Sequence, residues 1–446
     1  MLTDVIAALA TPPGTSALAL VRISGDGAHD VAARVLRPFD ALPARHLRRS
    51  AIVDRRSGER IDDVLYATFE APSSYTGEDA VEISTHGGVL VPVEVLDALF
   101  QAGARLAEPG EFTRRALLNG KMDLLQAEAV GDLIAASSPA QRRAALNQLD
   151  RGLTRRIEDL RARVLDLEKL VCYEIDFPEE DSGPISPQQI QNAIDVFRAS
   201  CKALLASAVE GERLREGAVV VIAGLPNTGK SSLFNALLGM ERAIVTEVAG
   251  TTRDAIEAPL SCEGFPIRLV DTAGLRSTED LVEQKGIEVS HRYLRGADAI
   301  LFCADSGRSL SDDEREFLEG CDAPHLVVWT KMDLAGHDRE RPGVGVSTRT
   351  GAGLVDLRTE LARLAFGRLL GATDLDPILT RARHRTALER ALSEVDEFDR
   401  ARVRGIETAV AAVHLRAAAT ALEVVIGMVS QEDVLDAVFS TFCIGK

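Results

Sequence analysis

The sequence predicts a multidomain α/β protein with an N-terminal α+β domain, a helical domain, and an α/β domain inserted into the helical one. Three changes of pattern carry this prediction. Residues 1–118 alternate short apolar runs with turns, and residues 216–372 alternate strand-like with helix-like segments. Residues 119–215 and 373–446 instead repeat their apolar residues at helical spacing.

The elements follow from periodicity. In the first domain, residues 17–23, 64–69 and 80–84 read as strands and residues 89–102 as a helix. The first helical stretch ends at Gly217, and the helical pattern resumes near Ile378. We favour insertion over attachment through a long helical linker, because neither flank forms a closed bundle alone and domain termini commonly lie close together.

Composition excludes several classes of protein. Hydrophobic residues are 46% of the 446, so extensive disorder is not expected. There is no run of about 18 apolar residues and no basic, apolar leader, so we expect a cytoplasmic protein without a membrane partner. The six cysteines include no Cys-x-x-Cys pair, which argues against a zinc site or a disulfide framework. The formal charge of −17 opposes broad binding to nucleic acid but leaves room for a local basic surface.

The strongest motif is Gly-Leu-Pro-Asn-Thr-Gly-Lys-Ser at residues 224–231, between an apolar strand-like run and an amphipathic helix. Its glycines let backbone N–H groups curl round phosphates, helped by the positive end of the helix dipole. Lys230 would reach the outer phosphates, and the Ser231 hydroxyl would ligate Mg²⁺. In this context the motif predicts a phosphate-binding loop.

Four later segments indicate that the nucleotide is GTP. Residues 250–254 offer a threonine to the Mg²⁺ shell, and residues 271–274 offer an aspartate that holds the metal through water and a glycine near the last phosphate. In residues 330–333, Asp333 can accept two hydrogen bonds from guanine that adenine cannot supply, and residues 347–349 offer N–H groups to the guanine oxygen. An ATPase or a small-molecule kinase is the alternative, which five motifs in order disfavour.

The expected ligands form one set. The Mg²⁺ ligands are Ser231 and Thr252. The nucleotide contacts are Asn227, Thr228, Gly229, Lys230, Ser231, Ser232, Thr246, Glu247, Val248, Ala249, Gly250, Thr251, Thr252, Asp271, Thr272, Ala273, Gly274, Lys331, Asp333, Ser347, Thr348 and Arg349.

Two positions depart from the usual GTPase pattern. Thr330 stands where the base-reading segment usually begins with asparagine. It keeps a hydroxyl to brace the loop but loses the reach of an amide, which predicts weaker guanine binding. Leu275 stands where Ras-type switches place a glutamine that orients water. Leucine cannot orient water, so the catalytic group must come from elsewhere.

Four sets of residues along the whole chain carry a resemblance to a known family. They are Gly77-Glu78-Asp79 with His86-Gly87-Gly88, residues 109–113 with residues 118–124, the GTPase motifs above, and the terminal Phe442-Cys443-Ile444-Gly445-Lys446. Together they resemble the MnmE (TrmE) family of bacterial tRNA-modification GTPases. The resemblance implies an N-terminal domain like those of tetrahydrofolate-binding one-carbon enzymes, followed by a helical domain with a Ras-like P-loop GTPase domain inserted.

The resemblance also implies an activity and partners. The activity is GTP-dependent addition of a carboxymethylaminomethyl-type group to the wobble uridine of certain tRNAs. The implied partners are a second copy of the chain, the tRNA, and the flavoprotein MnmG, which brings FAD and uses NADH.

The absent glutamine is accounted for by the same resemblance. Family members hydrolyse GTP with K⁺ in place of an arginine finger, when two GTPase domains meet across their nucleotides. The implied K⁺ ligands are Asn227, Thr246, the carbonyl of Val248, and Thr251. The implied water-organising residue is Glu283, which pattern alone would assign to a solvated helix start.

For the N-terminal domain the resemblance implies a site for a tetrahydrofolate derivative, 5-formyl- or methylene-tetrahydrofolate. Its residues would be Arg22, Glu82, Lys121 and Lys446. Cations suit the glutamate tail of folate, and a carboxylate can accept paired N–H bonds from the pterin. Cys443 leaves two interpretations open, a reactive thiol near the folate and uridine or a small buried apolar residue.

Two other functions remain open. One is a regulatory GTPase that binds RNA or the ribosome without covalent chemistry, since ribosome-assembly GTPases share the Gly-Thr-Thr-Arg-Asp switch. Such proteins usually carry an RNA-binding module, and no Gly-x-x-Gly loop in a KH-like context follows residue 370. The other is a GTPase of one-carbon folate metabolism that does not act on tRNA.

Overall fold

The structure is a computed structural model that describes residues 4–41, 44–176, 186–240, 257–271, 293–335, 341–370, 377–428 and 432–445. The chain divides into two compact units, one formed by residues 1–131 with 423–446 and the other by residues 132–422. The domain boundaries predicted at 118, 215 and 372 follow changes in sequence pattern and differ from the limits of these compact units, so they stay a prediction. The predicted multidomain α/β class is confirmed.

Both units contain strands and helices within the described residues. The strands are β1 (Ile6–Leu9), β2 (Leu18–Ser24), β3 (Leu36–Arg37), β4 (Arg48–Val53), β5 (Arg60–Phe69), β6 (Ala80–His86), β7 (Arg105–Leu106), β8 (Ala218–Ala223), β9 (Glu257–Cys262), β10 (Phe265–Asp271), β11 (Ala299–Asp305), β12 (His325–Thr330) and β13 (Val344–Gly345). The helices are α1 (Ala28–Val35), α2 (Val91–Gln101), α3 (Glu111–Leu118), α4 (Leu124–Ala135), α5 (Pro139–Leu149), α6 (Gly152–Asp176), α7 (Pro187–Leu205), α8 (Ala208–Glu216), α9 (Lys230–Gly239), α10 (Asp312–Glu319), α11 (Met332–Ala335), α12 (Leu354–Phe366), α13 (Ala382–Val403), α14 (Thr408–Ala411), α15 (Val413–Ile426) and α16 (Glu432–Phe439).

The first unit is built on a mixed sheet whose strand order is β3-β4-β5-β6-β2-β1-β7. Neighbouring strands are antiparallel except β1 and β7, which are parallel. Because successive side chains of a strand point to opposite faces, Val21 and Ile23 of β2 join the apolar core with α1 and α2. Arg22, between them, lies on the other face, where Phe112 of α3 packs on Ile6 and Ala8.

The sheet of the second unit has the order β13-β12-β11-β8-β10-β9. Its neighbouring strands are parallel except β9, which is antiparallel to β10. β8 and β11 are apolar and buried along nearly their whole length, as strands covered on both faces are. Helices α9 and α12 pack on one face and α10 on the other. The carboxyl ends of the five parallel strands therefore meet at one edge, where open α/β sheets bind ligands.

The helical part of the second unit has clear start and stop signals. Ser186 and Gln189 form a capping box that begins α7, with Pro187 at its first position. α8 ends before Gly217, whose φ of 82° terminates the helix. The helical pattern resumes at Ala382 rather than near Ile378, because residues 378–380 form a buried non-helical segment whose Leu379 carbonyl crosses the backbone of Gly211.

One helical stretch of the described chain, Thr408–Ile426, is long and apolar enough to cross a membrane by length and composition. Its mean hydropathy is 1.6, and half of the window is buried within the protein. The core helix of a soluble protein passes the same test.

Candidate nucleotide-binding site

The loop at residues 224–229 joins β8 to α9 at the carboxyl edge of the sheet. Gly224 has a φ of 140°, and a Cβ there would lie 2.3 Å from the carbonyl oxygen of Cys303 on the neighbouring β11. Gly229 has a φ of 87° and precedes the first turn of α9. Both glycines are thus required by backbone geometry, and the N–H groups of the first turn face the space above the edge.

Side chains of the loop fold back on the loop itself. The Thr228 hydroxyl donates a hydrogen bond to the Leu225 carbonyl at 2.8 Å, and Lys230 Nζ donates to the same carbonyl at 2.7 Å. Asn227, with a φ of 62°, is exposed, as is Ser231. Ser232, next along α9, is also exposed. The ammonium group is therefore held beside the loop, within the region where the outer phosphates are expected.

Thr330 connects the end of β12 to the phosphate loop. Its hydroxyl lies 2.7 Å from the Thr228 carbonyl oxygen and 3.2 Å from that of Ala304, and the residue is only 2% exposed. A threonine thus braces the loop in the place where asparagine is usual.

The two segments expected to read guanine contact each other. Asp333 accepts a hydrogen bond from the Ser347 hydroxyl at 2.8 Å, which fixes its carboxylate. Ser347 is buried, whereas Thr348 is half-buried and Arg349 exposed in the turn that follows. Each element brings its residues to the same edge of the sheet, as the order of the motifs predicts.

Lys331 is anchored from the neighbouring strand. Its Nζ lies 2.8 Å from Oδ2 of Asp305, the last residue of β11. The hydrogen bond from Lys331, and then that from the Gly307 N–H, lower the pKa of the Asp305 carboxyl. Asp305 was not singled out from the sequence; its position opposite Thr330 in the strand register is the signal that identifies it.

Asp271 ends β10 beside the phosphate loop and is 5% exposed. Burial raises the pKa of the nearby Cys303 thiol to about 12, with the Lys230 charge opposing and the Asp271 charge adding to that shift. The Cys303 thiol therefore stays protonated behind the loop. Because both Asp271 and Lys230 act on its pKa, their charges lie close to the phosphate loop.

Several expected site residues lie outside the described residues. They are Thr246, Glu247, Val248, Ala249, Gly250, Thr251, Thr252, Thr272, Ala273, Gly274, Glu283 and Lys446, together with Leu275. Of the expected K⁺ ligands the structure describes Asn227, and of the Mg²⁺ ligands it describes Ser231.

In the first unit, Arg22 and Glu82 are paired across β2 and β6. Arg22 Nε and Nη2 donate to Oε1 of Glu82 at 2.9 and 2.7 Å. The guanidinium lies 5.3 Å from the Tyr75 ring centroid and 5.7 Å from that of Phe112. The two residues form a charged pair on an aromatic wall, with the Glu82 side chain 29% exposed.

Lys121 supports the loop that carries Tyr75. Its Nζ donates to the Pro72 carbonyl at 2.8 Å, and its side chain packs against Gly77. The structure therefore joins Lys121 to the Arg22–Glu82 pair through this loop, not through direct contact.

Cys443 is exposed, so its interpretation as a buried apolar residue is wrong. Its carbonyl accepts a hydrogen bond from the Gly110 N–H at 3.4 Å, and Ile444 bridges to Pro109. A Cβ on Gly445 would meet the Leu9 carbonyl at 2.3 Å. Residues 443–445 thus lie against the end of β1, and the reactivity of the thiol stays a prediction.

A buried charge network in the first unit was not predicted. Arg115, 1% exposed, contacts Asp4 at 2.8 Å, Glu111 at 2.9 Å and Glu78 at 3.2 Å. Burial would raise the pKa of Glu111, but hydrogen bonds from Arg105, the Glu108 N–H and Arg115 hold it below its ordinary value. In the sequence, the i, i+4 spacing of Glu111 and Arg115 on one helix could have indicated this ion pair.

Comparison with known proteins adds matches along the whole chain. The family model for the MnmE helical domain matches residues 124–443, and that for the GTP-binding protein TrmE N-terminus matches residues 5–121. The tRNA modification GTPase MnmE of Moorella thermoacetica is 42% identical over 465 residues, and that of Syntrophus aciditrophicus is 40% identical over 459 residues. In both cases the match covers 100% of each chain.

Among solved structures, a variant of Era from Aquifex aeolicus bound to GDP and AlF4⁻ is 27% identical, with a TM-score of 0.27. That match covers 33% of this chain and 56% of the other. With a TM-score this low the structural match supports no assignment, so the family assignment rests on the sequence matches.

Proposed function

Since the chain belongs to the MnmE family of tRNA modification GTPases and is a GTP hydrolase, we propose that it works with MnmG on certain tRNAs. The reaction adds a carboxymethylaminomethyl-type group to the wobble uridine, in the cytoplasm, with GTP hydrolysis as the driving step. The observation that supports this most is the convergence of Thr228, Lys230, Thr330 and Asp333 at one sheet edge.

We assign the nucleotide as follows. The loop N–H groups and Lys230 bind the phosphates, Ser231 with Thr252 ligates Mg²⁺, and Asp333 accepts the guanine N–H groups. Ser347 supports this because its hydroxyl already orients the Asp333 carboxylate. Bound Mg²⁺ would neutralise charge on the phosphates, and the chain's own residues position the γ-phosphoryl group.

For catalysis we propose K⁺ held by Asn227, Thr246, Val248 and Thr251 in a dimer of GTPase domains, with Glu283 orienting water. The support is that Leu275 cannot orient water and that Asn227 is exposed on the loop with a left-handed backbone. Rates of GTP hydrolysis in KCl and NaCl at equal ionic strength test the ion. We expect a faster rate in KCl, and equal rates would contradict the assignment.

We propose that the first unit binds a tetrahydrofolate derivative, 5-formyl- or methylene-tetrahydrofolate, at Arg22, Glu82, Lys121 and Lys446. The residues present fit such a ligand. Both Arg22 bonds go to Oε1 of Glu82, so Oε2 can accept an N–H from a pterin, and the Tyr75 ring offers a stacking surface.

Cys443 lies on the same unit, exposed, and we propose it as a thiol that acts near the folate and the uridine. The partner MnmG would supply FAD and oxidise NADH. A Cys443→Ser variant that modifies tRNA as the wild type does, and binds GTP equally, would remove this role.

The deciding experiment is mass spectrometry of wobble uridines in cells that lack the gene and carry either the wild-type chain or a variant. We expect Lys230→Ala to abolish the modified uridine through the GTP site and Glu82→Gln to reduce it through the folate site. Thr420→Val, a change on an exposed helix face, is the control. Unmodified uridines with the wild-type chain present would instead indicate a regulatory GTPase without covalent chemistry.

A further inference from the structure

A cleft of about 320 Å³ lies in the second unit, on the side of the sheet remote from the nucleotide edge. Its polar lining, contributed by α4, α5, α8, β10 and the segment that precedes α13, is Asp132, Gln141, Gln148, Arg215, Glu216, Arg268 and Thr380. Arg268 pairs in register with Val219, near the start of β8, whereas the phosphate loop follows the far end of that strand. The cleft is therefore separate from the nucleotide site.

One residue that lines the cleft carries an unsatisfied polar group. Thr380 is 6% exposed, and its hydroxyl has no hydrogen-bond partner among the described residues. Leaving such a group unpaired is unfavourable, because it has lost its hydrogen bonds to water without gaining others. A molecule in the cleft that hydrogen-bonds to Thr380 would recover that energy.

The charges around the cleft leave one cation in excess. Asp132 accepts from Arg381 at 2.7 Å and lies 3.4 Å from Arg215, which is also 3.4 Å from Glu216. These two carboxylates balance these two guanidinium groups. Arg268 is exposed and has no ion-pair partner in the part of the chain that the structure describes, and its stem packs across Gly217.

The rest of the lining is apolar. Ala135, Ala144, Ala145 and Leu214 complete the lining of the cleft. The volume is at the lower end for small-molecule sites, which combine apolar walls with a few placed polar groups.

We propose that this cleft binds a small organic anion, whose carboxylate or phosphate group pairs with Arg268 while Thr380 hydrogen-bonds to it and its apolar body lies on Ala144 and Leu214. The lining includes residues of α8, which directly precedes β8, and Thr380, which follows the last strand and helix of the sheet along the chain. β10 runs from Arg268 to Asp271 of the nucleotide site within three residues. An anion bound here stabilises one arrangement of the inserted sheet on the helices, and by linkage its affinity depends on the bound nucleotide.

The test uses the full chain saturated with Mg²⁺ and a non-hydrolysable GTP analogue, so that the phosphate loop is occupied. Phenyl phosphate and benzoate are titrated separately by calorimetry at constant ionic strength, with benzyl alcohol as the uncharged probe. We expect saturable binding of one anion per chain and none of the alcohol. The anion that binds with the lower Kd shows whether the natural ligand carries a phosphate or a carboxylate group.

Two variants locate the binding. Arg268→Gln should weaken it at least tenfold, and Thr380→Val should weaken it severalfold without lowering the melting temperature, since it removes only an unpaired hydroxyl. Arg315→Gln, which alters an exposed arginine paired with Asp312, should leave affinity unchanged. Absence of saturable binding by either anion, or equal affinity in all three variants, would overturn the proposal.

Discussion

Thr330→Val should weaken nucleotide binding without unfolding the protein. The substitution preserves shape but removes the hydroxyl that lies 2.7 Å from the Thr228 carbonyl inside the phosphate loop. That carbonyl then loses its partner in a buried place, because Thr228 is 3% exposed and Thr330 2%. The loop would keep its internal bonds to the Leu225 carbonyl but lose this hydrogen bond to the end of β12.

The magnitude follows from the single hydrogen bond. Removing one partner of a buried pair costs about 1–2 kcal/mol. At about 1.4 kcal/mol per tenfold change in affinity, this corresponds to a roughly five- to thirtyfold increase in the Kd for GDP. The loss should appear mainly as faster GDP dissociation, since most changes of affinity in related complexes do.

The assay is equilibrium and stopped-flow binding of a fluorescent GDP analogue. Thr330→Ser, which keeps the donor, should bind within about twofold of the wild type on the same reasoning. Thr420→Val removes a hydroxyl that bonds to the Arg416 carbonyl on an exposed helix face and serves as the matched control. If Thr330→Val binds and releases GDP as the wild type does, the hydroxyl does not brace the loop.

Three further predictions concern other sites. Arg115→Met should destabilise the first unit by about 3 kcal/mol in urea unfolding, because it removes the buried cation shared by Asp4, Glu78 and Glu111, although Arg105 still pairs with Asp4 and Glu111; a neutral effect would mean that the network is not buried. Because the pKa of Glu111 is lowered, its contribution to stability is present above its ordinary pKa and lost as the pH falls through the folded value, and Arg115→Met should reduce that dependence without abolishing it, because Arg105 and the Glu108 N–H still bond to the carboxylate. Asp333→Asn should raise the Kd for GDP at least about tenfold and favour xanthosine diphosphate, and unchanged specificity would show that Asp333 does not read the base. In native protein at pH 8, iodoacetamide should alkylate exposed Cys443 but reach Cys303, whose pKa burial raises to about 12, only after unfolding; early labelling of Cys303 would contradict its burial.

Features encoded locally could be predicted from the sequence. The alternation of β2 and the unbroken apolar runs of β8 and β11 specify which faces are buried, and the glycines at 224 and 229 specify the turn of the phosphate loop. Thr330 could be assigned a bracing role because its place in the motif fixes it at the end of β12, beside that loop.

Features that depend on distant pairing could not be predicted. Arg22 and Glu82 are 60 residues apart, and Arg115 contacts Asp4 across 111 residues, so no periodicity within either segment reveals the partner. The late start of α13 has the same origin, since residues 378–380 are held against α8 by a close backbone crossing at Gly211. The exposure of Cys443 likewise depends on where residues 443–445 meet β1.

Those contacts at β1 have a consequence for the order in which the protein can fold during translation. The first unit needs residues 423–445: Phe439 packs on Gly110, Phe442 lies over Gly131, and Gly445 lies against Leu9. The ribosome makes these residues after it has made the whole of residues 132–422. The strands of the first sheet all lie within residues 6–106, so they can pair early on the nascent chain. The Leu9 end of β1 and the start of α3 stay uncovered until residues 423–445 have left the exit tunnel, by which time the sheet of the second unit has also been made.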